Sequence, residues 1–304
     1  MRFGVFTDLH YDAIPDADGR VDALLKSFQR NHVDFAVDLG DSIFPKPENT
    51  GVMQRIKDVP CFFSVGNHCI DYCSNDTALK FYGLDTGHYA ITRENVKFIF
   101  LDANYVQTPG GHLHEDEATE VAGVCRPYVP PEQIAWLQNE LANDDAYYII
   151  CTHQSLANDL LIGTHSRGII NRESIRAVLE KRNAGKKKVL FCMNGHDHGD
   201  AIRLINGIHY YSLNSASHVW QPKEVFRYSE EVHGRFPHLK NYIMYEEALH
   251  IIVDIDEEMN VTIHGMEGRY QRVTPEDVGM GDIWNNVSIK PRTSSLYISS
   301  SLQV

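Results

Sequence analysis

Over the first two thirds of the chain, short apolar runs rich in β-branched and aromatic residues alternate with stretches whose apolar positions recur at helical spacing. "RFGVFT" (2–7) reads as a strand; "VDALLKSFQRNHV" (21–33), with Val21, Leu24, Leu25 and Phe28 on one face, reads as a helix. The alternation continues through "FAVDLGD" (35–41), "GVMQRIKD" (51–58), "CFFSVGN" (61–67) and a looser helix over 75–82. "HYAIT" (88–92) and "VKFIFLD" (96–102) flank a short polar turn and predict a hairpin. Residues 104–129 are polar and exceed an ordinary connection, which predicts a functional flap or a mobile insertion. Helices over 130–143, with proline in the first turn, and over 171–183, with Asn171 as N-cap, interleave with strands at 147–153 and 186–194.

The final third changes character. "AIRLING", "IHYYSLNS", "ALHIIVDID" and "NVTIHGME" are strands joined by tight turns with little helix between them. Strand–helix alternation followed by antiparallel strands predicts an α/β fold, a two-sheet β-sandwich flanked by helices. We expect one domain over residues 1–275, with a Ser-rich polar extension, 276–304, packed on it.

Composition narrows the function. A chain of 304 residues with a 43% hydrophobic fraction can bury a large core without disulfides or a structural metal. Its net charge of −13 argues against nucleic acid or an anionic membrane as partner, since both call for a basic face. A phosphate substrate then needs a local positive charge to offset that field, and bound metal would provide it. The six cysteines show no paired framework, and no run reaches the ~18 apolar residues of a membrane span. With no signal-peptide pattern at the N-terminus, the expected location is the reducing cytoplasm.

The candidate chemistry lies where the strands stop, because ligands of open α/β sheets gather beyond the carboxyl ends. The first run ends in "TDLH" (Asp8, His10), the second in "LGD" (Asp41), and the third in "GNH" (Asn67, His68). Later runs end in "CTH" (His153) and "GHDH" (His196, His198). Carboxylates and imidazoles suit Mn, Fe or Zn, whereas a thiolate-rich set would favour softer ions.

The order DxH, GD, GNH, H, GHxH, across residues 8 to 198, resembles the calcineurin-like metallophosphoesterase superfamily. The resemblance implies two divalent or trivalent transition-metal ions, one on Asp8, His10 and His198, the other on Asn67, His153 and His196, with Asp41 shared. It further implies that a water made acidic by the ions attacks phosphorus, and that His68 protonates or stabilises the departing oxygen. Relatives commonly carry an acidic residue directly after that histidine; here Cys69 follows, and Asp71 is the available substitute. The substrate expected is a small phosphorylated molecule with room for a nucleotide, cleaved as a phosphodiester or diphosphate. A phosphomonoesterase and a non-catalytic binding module of the same fold are the alternatives, and "GHDHGD" lacks the HxHxDH of a metallo-β-lactamase-like hydrolase.

Further residues have plausible but blander readings. His165 and Arg167 in "GTHSRG" could meet a phosphate, while Tyr72, Trp220 and His218 could stack on a base or pack on their own neighbours. His112 and His114 find no matching ligands along the chain and read as a solvated flap, and Asp102 reads as a turn residue.

Overall fold

In a computed structural model of the chain, which describes residues 1–118, 125–143, 145–162 and 165–301, two six-stranded sheets form the centre. The first has the order Leu296–Ile298, Val261–His264, Ile251–Ile255, Arg2–Phe6, Phe35–Asp38, Cys61–Phe63. The second has the order Ala201–Ile205, Ile208–Ser212, Val189–Asn194, Tyr147–Thr152, Val96–Leu101, Tyr89–Arg93. Arg2–Phe6, Phe35–Asp38 and Cys61–Phe63 run parallel to one another. So do Val96–Leu101, Tyr147–Thr152, Val189–Asn194 and Ile208–Ser212.

Alternation along each strand sorts the side chains into layers. Phe3 and Val5, with Phe35 and Val37, meet Phe98, Phe100, Ile149 and Met193 in an apolar core between the sheets. Phe6 faces the other way, towards Val21, Leu24 and Phe28 on the helix Ala17–Arg30. Gly4 admits that helix: a Cβ there would lie 2.3 Å from the Phe28 ring. On the far side, Ile99, Tyr148, Ile150 and Cys192 receive the helices Pro131–Glu140 and Arg172–Asn183. Strands covered on both faces read as continuous apolar runs, which is why they stood out in the sequence.

The expected hairpin is present, with Tyr89–Arg93 antiparallel to Val96–Leu101. Another turns at Asn206-Gly207, where φ values of 48° and 79° fit the Asn-Gly preference of tight hairpin turns. Three expectations need correction. The 104–129 stretch is no loop in its described part: Tyr105–Thr108, Gly111–His114 and Cys125–Tyr128 join Leu161–Ile162 and His165–Ser166 in a five-stranded sheet. The first helix begins at Ala17 and stops at Arg30, so residues 31–33 are a turn. Asn171 occupies the N-cap position without capping; its amide is spent bridging to the Val129 backbone instead. Beyond residue 275, Leu296–Ile298 pairs with Val261–Ile263 and closes one edge of the first sheet.

Candidate metal centre

The parallel strands of both sheets open at the same end of the molecule, and the residues that follow them converge there. Asp8 and His10 follow Arg2–Phe6, Asp41 follows Phe35–Asp38, and Asn67 and His68 follow Cys61–Phe63. His153 follows Tyr147–Thr152, and His196 and His198 follow Val189–Asn194. To turn two side chains inward so soon after a strand, the backbone enters the left-handed region at Asp8 (φ 51°), His10 (48°), Asp41 (56°), His196 (66°) and His198 (49°). Non-glycine residues avoid that region, at a cost of ~1–3 kcal/mol each, and such strain concentrates at functional sites.

Each carboxylate divides its two oxygens between scaffold and site. Asp8 Oδ2 accepts the Thr7 hydroxyl at 2.7 Å and the His196 N–H at 2.9 Å, leaving Oδ1 buried without a hydrogen-bond partner. That Oδ1 lies 3.2 Å from His198 Nε2 and 3.9 Å from His10 Nε2. Asp41 Oδ1 accepts the His68 N–H at 2.9 Å, while Oδ2 stands 2.8 Å from His153 Nε2. The imidazoles are oriented from behind. His153 Nδ1 donates to the Leu39 carbonyl and His198 Nδ1 to the His218 carbonyl, both at 2.7 Å, so each ring in its neutral form presents an Nε2 lone pair to the centre.

Burial lowers His10 to about 3, with His198 and His68 adding to the effect. It likewise holds His196 well below its usual value. Burial opposes ionisation of Asp8, but His198 and His153 outweigh it and bring the carboxyl to about 2. His153 is the exception: burial lowers it, and the adjacent Asp41 charge overrides this and lifts it to about 9. Neutral imidazoles beside ionised carboxylates are the protonation states a cation needs. Among the described residues, three triads have their ligating atoms within 4.8 Å of one another, Asp41–His153–His196, Asp8–His10–Asp41 and His10–His198–His218; Asp41 belongs to the first two. The residues fit a metal pair. Asp8 Oδ1, Asn67 Oδ1 and His153 Nε2 are buried without hydrogen-bond partners, and the His10 and His198 Nε2 atoms sit 3.1 Å apart.

The other candidates are distributed around this centre. His68 Nδ1 lies 2.6 Å from Asp71 Oδ2, in the place where Asp71 can hold it, and the ring borders the site opening. Cys69 is buried, with Sγ 3.1 Å from Tyr82 Oη, and takes no part in orienting His68. Arg167 borders the same opening, but its guanidinium also donates to the His196 carbonyl at 2.6 Å and lies 3.4 Å from Asp197. It therefore clamps the "GHDH" loop. Tyr72 and Trp220 line a neighbouring cavity of about 350 Å³ together with His10, Phe44, Lys46 and Arg235. The side chain of His165 lies outside the described residues.

His112 and His114 are not a solvated flap without partners. His112 Nε2 sits 2.8 Å from Glu132, and buried His114 sits 2.7 Å from Asp116 and 3.6 Å from Asp102. Asp102 thereby anchors the small sheet while its Oδ1 also accepts the Asn104 N–H at 2.9 Å. Asp38 had escaped notice: its Oδ1 takes the Gly40 N–H and the Ser42 hydroxyl, which shapes the turn carrying Asp41, and burial raises its carboxyl to about 7. An acidic residue inside the otherwise apolar "FAVD" was the available signal.

A helix-flanked two-sheet sandwich that gathers carboxylates and imidazoles at one edge is the architecture of a metal-dependent hydrolase. Residues 1–200 match the calcineurin-like phosphoesterases, and the chain belongs to that family of phosphoester hydrolases. Among solved structures, it is similar to a dimetal phosphatase from Danio rerio, at 15% identity over 99% of each chain with a TM-score of 0.60. It is also similar to GAP50, titled the anchor in the inner membrane complex of Plasmodium, at 13% identity, 86% and 83% coverage and a TM-score of 0.54. No curated protein matches the chain closely enough to count as a relative. Among the described residues, no helix is long and apolar enough to cross a membrane.

Proposed function

We propose that the protein is a dinuclear metal-dependent hydrolase that cleaves a phosphodiester or diphosphate bond in a small, nucleotide-like substrate. The observation that carries this reading is Asp41, common to a triad of the first sheet, Asp8–His10–Asp41, and to one that reaches the second, Asp41–His153–His196. Asp8, His10 and His198 would hold one ion, and Asn67, His153 and His196 the other, with Asp41 shared. When bound, the pair supplies positive charge to the phosphoryl oxygens and lowers the pKa of a water nucleophile towards neutrality.

The chain's own groups do the rest. Asp71 holds His68 Nδ1, which directs the opposite nitrogen towards the opening, where it can give a proton to the leaving oxygen. Burial lowers His68, but the charge of Asp41 and the bond to Asp71 override this and raise it to about 9, so it is protonated at neutral pH. The adjacent cavity mixes Phe44, Tyr72 and Trp220 with Lys46 and Arg235, a lining suited to a planar organic group carrying phosphate. Six free cysteines support a reducing compartment, the cytoplasm in our reading.

The test combines elemental analysis with a substrate panel. We expect close to two transition-metal ions per chain, and faster turnover of nucleotide diphosphates or cyclic nucleotides than of simple monoesters. At most one ion after reconstitution with Mn, Fe or Zn would remove the dinuclear reading; turnover of monoesters alone would remove the substrate assignment. Full metal loading with no turnover of any ester would favour a binding module.

A further inference from the structure

We propose that His218 is an additional ligand of the ion held by Asp8, His10 and His198, an inference that rests on the two-ion reading above. His218 lies beyond residues 1–200, the part matched by the family, and beyond the strand-end motifs. It opens the short strand His218–Trp220, which follows the loop after Ile208–Ser212 and pairs with Tyr242–Tyr245, and its ring is 0% exposed. The ring lies flat on Tyr242, centroids 3.7 Å apart, with the His198 and His10 rings 4.9 and 5.2 Å away. One ligating nitrogen from each of His10, His198 and His218 falls within 4.8 Å of the other two. Two imidazole nitrogens on opposite sides of one ion stand about 4.2 Å apart, so modest adjustment closes this triad on a single ion.

The hydrogen bonds fix which nitrogen is available. The Ser215 and Ser217 hydroxyls both donate to the Asp8 carbonyl, at 2.7 and 3.0 Å. With the single Ser217 proton on that carbonyl rather than on Ser215 Oγ, 3.3 Å away, the ring is the donor in the 2.9 Å contact between Ser217 Oγ and His218 Nδ1. A neutral imidazole protonated on Nδ1 carries its lone pair on Nε2, and that atom is buried with no hydrogen-bond partner. The large majority of buried side-chain polar atoms have a partner, so an unpartnered acceptor beside two further ring nitrogens calls for a ligand. Complete burial also keeps a substrate from reaching it. An ion shared with His10 and His198 gives the lone pair its partner.

The same residue supports the site a second way, since its carbonyl receives the His198 Nδ1 proton. Ser215 and Ser217, bonded to the backbone of Asp8, then tie the first strand end to this loop. The arrangement repeats the usual support of metal-ligating histidines, in which the second ring nitrogen donates to a fixed acceptor.

The full chain loaded with Co(II) provides a direct readout. Each imidazole bound through Nε2 gives a strongly shifted Nδ1–H proton resonance, and buried N–H groups exchange slowly enough to be seen. His218→Phe keeps the stack on Tyr242 and removes the donor; it should lose one such resonance and weaken one of the two cobalt affinities by at least about tenfold. His218→Gln should recover part of the affinity without the resonance, and decides the question if the Phe variant does not fold. Ser217→Ala leaves the ring in place but removes its hydrogen-bond acceptor, and should move the His218 resonance more than any other. Unchanged resonances and affinities in either His218 variant, or no shifted resonance responding to Ser217→Ala, would overturn the proposal. A wild-type chain that fails to bind two cobalt ions would instead sink the two-ion reading itself.

Discussion

At the scale of single residues, the site is a division of labour between the two ends of each side chain. His68 shows it best, because one ring nitrogen is held 2.6 Å from Asp71 while the ring borders the opening. If His68 is the leaving-group acid proposed above, its raised pKa keeps it protonated through neutrality, and turnover of poor leaving groups should fall as pH climbs past that pKa. Cations held by Asp41 would cancel that residue's share of the rise, which would leave Asp71 as the support that persists once metal is bound. Asp71→Asn should therefore move the alkaline limb of the kcat profile to lower pH without loss of metal. His68→Ala should retain metal and lose roughly 10²–10⁴-fold in kcat on a poor leaving group, and much less on p-nitrophenyl esters. An equal loss on both substrates would make His68 a phosphoryl-binding group. An unmoved limb in Asp71→Asn would free Asp71 of its orienting role.

At the scale of elements, the strand ends work because glycine lets neighbouring turns interpenetrate. A Cβ on Gly195 would lie 2.0 Å from Thr7 Oγ1 and 2.6 Å from Asp8 Oδ2, and one on Gly66 would lie 2.2 Å from Asp41 Oδ1. Gly195→Ala must displace Asp8 and the Thr7 hydroxyl that anchors it, so metal binding should fall at least about tenfold while the fold survives. Full affinity in that variant, measured by titration of the ion-free protein, would show that the close approach is not needed.

These turns also explain what could be read from the sequence. The parallel strands and the carboxylates and imidazoles at their ends were legible because strands buried on both faces are unbroken apolar runs that stop abruptly at polar residues. The approach of His218 to His10 and His198 was not, because this residue opens the short strand His218–Trp220, six residues beyond the end of Ile208–Ser212, where spacing gives no such signal. The small sheet over 105–128 was missed because its strands are short and polar. They are held by side-chain contacts such as His114 with Asp116 and Asp102, which no periodicity reveals.

At the scale of the whole molecule, the site is where two sheets are joined by something other than apolar contact. Asp8, His10, Asp41 and Asn67 come from the first sheet, and His153, His196 and His198 from the second. Away from this edge, the sandwich core is continuous and aromatic-rich, with Phe3 5.2 Å from both Phe35 and Phe98, so the ion-free chain should remain folded. At the edge, however, the ion-free chain keeps the buried carboxylates of Asp8 and Asp41 and the unpartnered ring nitrogens of His153 and His218 close together, and bound cations would relieve that conflict only in the native state. An ion present at a hundred times its Kd stabilises by about 2.7 kcal/mol, and two independent ions by about twice that. At roughly 2–4 °C per kcal/mol for chains of about this size, chelation should lower the melting temperature by about 10 °C or more, and Mn(II) should restore it. The same chelation of Asp41→Asn, in which both sites lose their shared charge, should change the melting temperature far less. A wild-type melting temperature indifferent to verified removal of metal would mean that the core alone joins the sheets and that the ions, if present, contribute nothing to the fold.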